Sequence, residues 1–215
     1  MRKYAIYDFC NTIVGFETAD FFVDYCCSIL GIKKSNIIDH ILHFVSNAIG
    51  HFSHRSFYKI RHLKKLKGQS KETVNRLVID FYNREIVKKM NLSIVNQIYK
   101  DIDDGYDIVI CSAAYFEYIN IFASKHSIKY VLANEFVYTN NLFTGRIAEK
   151  DCIFKEKINR LRKTFSKEEL LLSKAYSDSK SDIPLLSAVG KGIVVSDRKL
   201  KWADKLGFDY FNNEQ

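Results

Sequence analysis

Proline is nearly absent from this chain, with Pro184 the only one in 215 residues, and glycine occurs nine times. Without a Pro-rich or Gly/Ser-rich tract there is no sign of a long flexible linker or a compositionally disordered tail. A chain of this length supports one good core, or a core with a small insertion. The five cysteines, at 10, 26, 27, 111 and 152, form no C-x-x-C pair and no Cys/His cluster at zinc spacing. They read as reduced thiols in a cytoplasmic protein. No window approaches the roughly 18 apolar residues that a membrane-spanning helix needs. The opening string MRKYAIYDFCNT has a basic start, but Asp8 breaks its apolar run too early for a secretory signal core. A soluble, cytoplasmic chain with no membrane partner is expected.

Acidic residues are in the minority, 25 against 33 Lys+Arg, which leaves a formal charge of +8. That balance favours anionic ligands, yet it lacks the dense basic stripes of a nucleic-acid binder. The run Arg55, Lys59, Arg61, Lys64, Lys65, Lys67, Lys71 has no acidic member and reads first as a solvated helix face. Its other reading is a surface that helps hold an anion.

Short apolar runs read as buried strands at Tyr4–Tyr7, Asp107–Cys111, Lys129–Ala133 and Gly192–Val195, with a weaker one at Ser173–Ser177. Helical patterns alternate with them at Leu92–Ile102, Tyr115–Lys125, Lys157–Phe165, Ile183–Val189 and Leu200–Leu206. This alternation predicts an α/β fold, a doubly wound parallel sheet covered on both faces. Ligands of such sheets bind beyond the carboxyl ends of the strands. Residues 15–90 break the pattern with helices alone, at Ala19–Leu30, Ile37–Ile49 and Val74–Met90, and read as a helical insertion. Around Asn140-Asn141 the segment Phe136–Ile147 alternates as a β-hairpin does.

Four polar features stand at predicted strand ends or helix starts. Asp8 follows the first strand, and Ser112 ends IVIC and opens the helix that follows, where a hydroxyl and free N–H groups can converge on an anion. Lys157 begins KINRL, and Asp178 and Asp182 flank a strand-to-helix turn so that two carboxylates can face one point. Hard cations such as Mg²⁺ take one or two carboxylates plus phosphate oxygens. Each feature alone is also an ordinary cap or solvated side chain.

Taken in order, Asp8-Phe-Cys-Asn-Thr12, Val109-Ile-Cys-Ser112, Lys157-Ile-Asn-Arg-Leu161 and Ser177-Asp-Ser-Lys-Ser-Asp182 resemble the four motifs of the haloacid dehalogenase superfamily. The likeness is to its phosphoserine-phosphatase-like branch, in which a helical cap follows the first motif. It implies a Rossmann-like core at 1–14 and 91–215 and a cap at 15–90. It implies Asp8 as nucleophile and Mg²⁺ held by Asp8, the Cys10 carbonyl, Asp178 and Asp182. Ser112 and Ala113 would hold the phosphoryl group, Lys157 would balance charge, and Thr12 and Arg55 would contact a small phosphorylated metabolite. One departure stands out: phosphatases of this family carry a second Asp, their general acid and base, where this chain has Cys10. A neutral thiol is a weak donor and a poor base. The missing proton could come from His40, His43, His51 or His54, or from the substrate. The alternatives are a weak or inactive phosphate-binding protein, or cleavage of another bond, for which a cap lysine forming a Schiff base would suit a carbon–phosphorus substrate.

Overall fold

The computed structural model describes residues 2–32 and 52–211, apart from the side chains of 52–55. The predicted helix Ile37–Ile49 and the residues His40, His43 and His51 lie outside the described residues, as do the side chains of His54 and Arg55. No described helix is long and apolar enough to cross a membrane.

Strand β1 (Tyr4–Tyr7) lies at the centre of a parallel six-stranded sheet with β2 (Asp107–Tyr115), β3 (Tyr130–Asn134), β6 (Lys174–Ser177), β7 (Lys191–Val195) and β8 (Asp209–Phe211). The spatial order is β3-β2-β1-β6-β7-β8, so the chain first winds one way from β1 and then crosses to the other side. This is the Rossmann-like arrangement, and its reversal of strand order lies between β1 and β6. The side chains of β1 alternate between two cores because successive Cβ atoms point to opposite faces. Ala5 and Tyr7 pack with Ile108 and Ile110, while Tyr4 and Ile6 pack with Val109 and Cys111. Both faces are covered, which is why the strands read as continuous apolar runs.

Between β1 and the rest of the sheet come α1 (Thr18–Leu30), α2 (Phe52–Leu63) and α3 (Lys71–Phe81), followed by two irregular helical turns to Lys89. Helix α3 starts at Ser70, whose hydroxyl accepts from Thr73 N at 3.1 Å, and buries Val74, Leu77, Val78 and Phe81 along one stripe. Phe81 meets Phe22 and Tyr118 at centroid separations of 5.2 and 5.4 Å. These aromatic contacts join the helical segment to the cluster that holds Ala5 and Tyr7. Cys26 and Cys27 pack fully buried in α1.

The hairpin forms as expected from β4 (Phe136–Thr139) and β5 (Leu142–Ile147), with Asn140 and Asn141 both at positive φ. It docks on the loop before α3 through Gly68 N to Phe143 O, Phe143 N to Gln69 O and Lys71 N to Asn141 O, each 2.8 Å. A Cβ at Gly145, whose φ is +74°, would lie 3.0 Å from Lys64 Cα, so this close approach needs glycine.

Helices α4 (Leu92–Asp103), α5 (Phe116–Lys125), α6 (Lys155–Thr164), α7 (Lys167–Leu171), α8 (Ile183–Leu186) and α9 (Lys201–Leu206) complete the layers. One strand was not foreseen in the sequence, and one expectation needs correction. Strand β8 pairs with β7 although its three residues, DYF, carry no apolar run. Strand β2 continues to Tyr115 with an irregular register beyond Cys111, so Ser112 does not open the next helix. Helix α5 begins at Phe116, with Tyr115 as its N-cap.

Candidate active site at the carboxyl ends of β1 and β6

Asp8 leaves β1 beside β6, where its backbone N–H still donates to Tyr176 O at 3.0 Å. Asp178 follows β6 directly, which puts both carboxylates at the point where strand order reverses. Lys157, in the first turns of α6, reaches this point with its ammonium 2.9 Å from Asp8 Oδ1 and 2.6 Å from Asp182 Oδ2. Ser177 Oγ donates to the same Asp182 oxygen at 2.7 Å. Asp8, Cys10, Ser112, Ala113, Lys157 and Asp178 line one cavity of about 510 Å³.

The electrostatics are those of three crowded carboxylates, Asp8, Asp178 and Asp182, around the Lys157 ammonium. Burial pushes Asp8 up to about 6 despite Lys157, and Asp182 adds to the rise. Asp178 is pushed up to about 7 by burial first, then by Asp8, Glu17 and Asp182. Lys157 is held firmly protonated by Asp182 and Asp8, which outweigh the burial that opposes its charge.

Asp182, expected among the metal ligands, turns its Oδ2 inward to Lys157 and Ser177, while its buried Oδ1 has no hydrogen-bond partner among the described residues. It anchors the ammonium, and the helix-capping bond that the sequence allowed is not made. Among the described residues no group of three or more His, Cys, Asp or Glu side chains is gathered at metal-binding spacing. The donors that fit a hard divalent cation are the carboxylates of Asp8 and Asp178, whose mutual repulsion a cation would relieve.

Cys10 is 8% exposed, and its sulfur faces Thr18. Thr18 N donates to Sγ at 3.5 Å, the Thr18 hydroxyl lies 3.1 Å away, and that hydroxyl meets Tyr118 OH at 2.8 Å. Burial pushes the thiol up to about 12, with Glu17 and Asp8 adding to the rise. The thiol is therefore neutral. Asn11 takes φ +52° just after it, a left-handed turn that asparagine tolerates. Thr12, expected against substrate, is fully buried instead: its hydroxyl accepts from Asp178 N at 3.2 Å and donates to Asp178 Oδ1 at 3.4 Å. It positions the second carboxylate.

Lys59 of the basic run also lines the cavity, together with Glu17, Asp20 and Asp151, which sequence reasoning missed. Lys59, hidden in the basic run, is buried and ion-paired with Asp151. The solvated-face reading holds for Arg61, Lys64, Lys67 and Lys71, which are exposed, but not for Lys59.

The profile of the haloacid dehalogenase-like hydrolase family matches residues 5–187. The chain belongs to that family. A search of the curated proteins gives no match. Among solved structures, a protein of unknown function from Bordetella pertussis Tohama I superposes with a TM-score of 0.83 at 18% identity, covering 99% of each chain. A phosphoserine phosphatase, solved as a phospho-aspartyl intermediate analogue, gives 0.70 at 18% identity over 100% of this chain and 94% of its own. A phosphoserine phosphohydrolase-like protein from Francisella tularensis subsp. tularensis SCHU S4 gives 0.69 at 17% identity over 98% and 95%. These identities speak for the fold. Family membership makes the chain a hydrolase with a phosphatase-like fold.

Proposed function

We propose that this protein hydrolyses a small phosphate monoester through an aspartyl-phosphate formed on Asp8. The observation that carries the proposal is the Lys157 ammonium between Asp8 and Asp182 at the switch point of the sheet. A nucleophilic carboxylate must approach an anionic phosphoryl group, and a fixed buried cation lowers the repulsion between them. Asp8 and Asp178, with the backbone carbonyl of Cys10, would hold Mg²⁺, which supplies further charge neutralisation when bound.

In the first step an Asp8 oxygen attacks phosphorus, the bond from phosphorus to the ester oxygen breaks, and the leaving oxygen takes a proton from solvent water. In the second, water attacks the aspartyl-phosphate and Asp8 is released with inorganic phosphate. Ser112 and its neighbouring N–H groups would hold phosphoryl oxygens, and Lys157 would balance charge through both steps. The helices of residues 15–90 would act as a cap over the core of 1–14 and 91–215, and closure would exclude water. A contact from Arg55 to a substrate's anionic tail belongs to the same proposal.

Cys10 sets the character of this enzyme. With the thiol pushed up to about 12 it cannot serve as a base near neutral pH, and it donates weakly. Substrates whose leaving group needs little protonation are therefore favoured, and the second step is slow. The Lys59 side chain is already engaged by Asp151 and by the Ala113 carbonyl, which argues against its use as a Schiff-base nucleophile for carbon–phosphorus cleavage. An acid quench of a single turnover tests the scheme: a burst of released alcohol matched by protein-bound phosphate is expected. Release of alcohol with no bound phosphate at any time would refute the covalent step.

A further inference from the structure

We infer that Lys59, Asn134 and Asp151 form a positioning relay that makes the Ser112 hydroxyl a phosphate donor. The inference rests on the reading of Ser112 given above and adds what aims it. The peptide between Ala113 and Ala114 is pinned from both sides. Its carbonyl accepts from Lys59 Nζ at 2.8 Å and from Asn134 Nδ2 at 2.7 Å. Its N–H, on the opposite edge of the peptide plane, donates to Ser112 Oγ at 3.3 Å. A hydroxyl that accepts on one side keeps its own proton for another partner, and Ser112 is among the residues that line the cavity.

The pins are themselves fixed. Asp151, 8% exposed, accepts from Lys59 and from Asn134 Nδ2, the latter at 2.6 Å. Cys152 N donates to Asn134 Oδ1 at 2.9 Å, so the amide cannot turn its NH₂ away from Ala113. Lys59 comes from α2 in the helical insertion, whereas Asn134 ends β3 of the sheet. The arrangement forms only when that helix sits on the core, so the seating of the insertion and the aim of Ser112 are coupled. The ammonium of Lys59 thereby acts through a peptide and not as a direct phosphate ligand.

The test is a double-mutant cycle read by calorimetric binding of inorganic phosphate in Mg²⁺, with steady-state kinetics on p-nitrophenyl phosphate alongside. Lys59→Met in the native background is expected to weaken phosphate binding and lower kcat/KM by about tenfold or more, as misplacement of a binding group does. In a Ser112→Ala background the same substitution is expected to change both by less than about twofold, because coupled residues are not additive. Lys59→Arg should restore most of the loss. Asp151→Asn, which frees Lys59 without emptying its site, should show the same dependence on Ser112, and it carries the test if Lys59→Met does not fold. An equal loss in both backgrounds, or no loss in either, overturns the relay and leaves the phosphatase reading standing. Native protein that neither binds phosphate nor turns over sinks both.

Discussion

Cys10→Asp restores a carboxylate at a position already furnished to receive one. Thr18 N and the Thr18 hydroxyl face the sulfur at 3.5 and 3.1 Å, and both can donate to an acidic oxygen placed there. Burial and the nearby Asp8 and Glu17 charges push the present thiol up to about 12, and the same surroundings would raise a carboxyl toward the range useful for proton transfer. General acid–base help is worth about 10²–10⁴ in rate, or about 3–5 kcal/mol at 1.36 kcal/mol per tenfold. That gain should depend on the leaving group. For a simple alkyl phosphate, kcat/KM is expected to rise by about 10² or more. For p-nitrophenyl phosphate, whose leaving group departs without protonation, kcat/KM should change by less than about tenfold while kcat rises as dephosphorylation speeds up. The assay is steady-state kinetics of both esters with native and variant protein in Mg²⁺. Identical factors for the two esters, or no change in either, would refute the reasoning and mean that the proton comes from another group.

Two further substitutions probe the charges. Asp178 sits at about 7 in the fold against 3.8 as a free side chain, so its ionisation destabilises the protein: the stability it contributes is complete below about pH 4 and is lost as pH rises through 7. Asp178→Asn should therefore melt higher than native protein at pH 8 in EDTA, and should lose the rise in melting temperature that Mg²⁺ gives the native protein; a lower melting point in EDTA would contradict this. Glu117 is also pushed up, to about 7 from 4.5, by burial first and by the nearby Glu135, although Phe136 N donates to it at 2.7 Å. Its contribution is likewise present below about pH 4.5 and lost through pH 7, up to about 3 kcal/mol. Glu117→Gln should flatten the fall in stability between pH 5 and 8 measured by urea melts, and an unchanged slope would count against it.

The parts legible in the sequence are those that one segment decides by itself. Strands β1, β2 and β7 announce themselves because burial on both faces demands apolar runs, whereas β6 carries a weaker signal, and Asn140-Asn141 marks the hairpin because both residues take positive φ. Asp8, Lys157 and Asp178 were readable because each sits beside such an element, and their meeting follows from the winding of the sheet. What was not legible depends on partners far away in the chain. Strand β8 is three residues held by register with β7. The chain after Ser112 reads as a helix start, yet it stays extended where the Ala113 carbonyl is held by Asn134 and Lys59. Lys59 is one basic residue among seven in its run, and its contacts with Ala113 and with Asp151, 92 positions on, distinguish it. Thr12 reads as a substrate contact until the structure turns it onto Asp178.

The most direct test of the central claim is release of p-nitrophenol from p-nitrophenyl phosphate, with and without Mg²⁺, by native protein and by Asp8→Asn. The leaving group removes the handicap of Cys10, so the assay reads the nucleophile and the metal alone. Turnover that requires Mg²⁺ and disappears in Asp8→Asn is the predicted result. Turnover that survives in a folded, Mg²⁺-loaded Asp8→Asn protein, or no turnover by native protein under the same conditions, would contradict it.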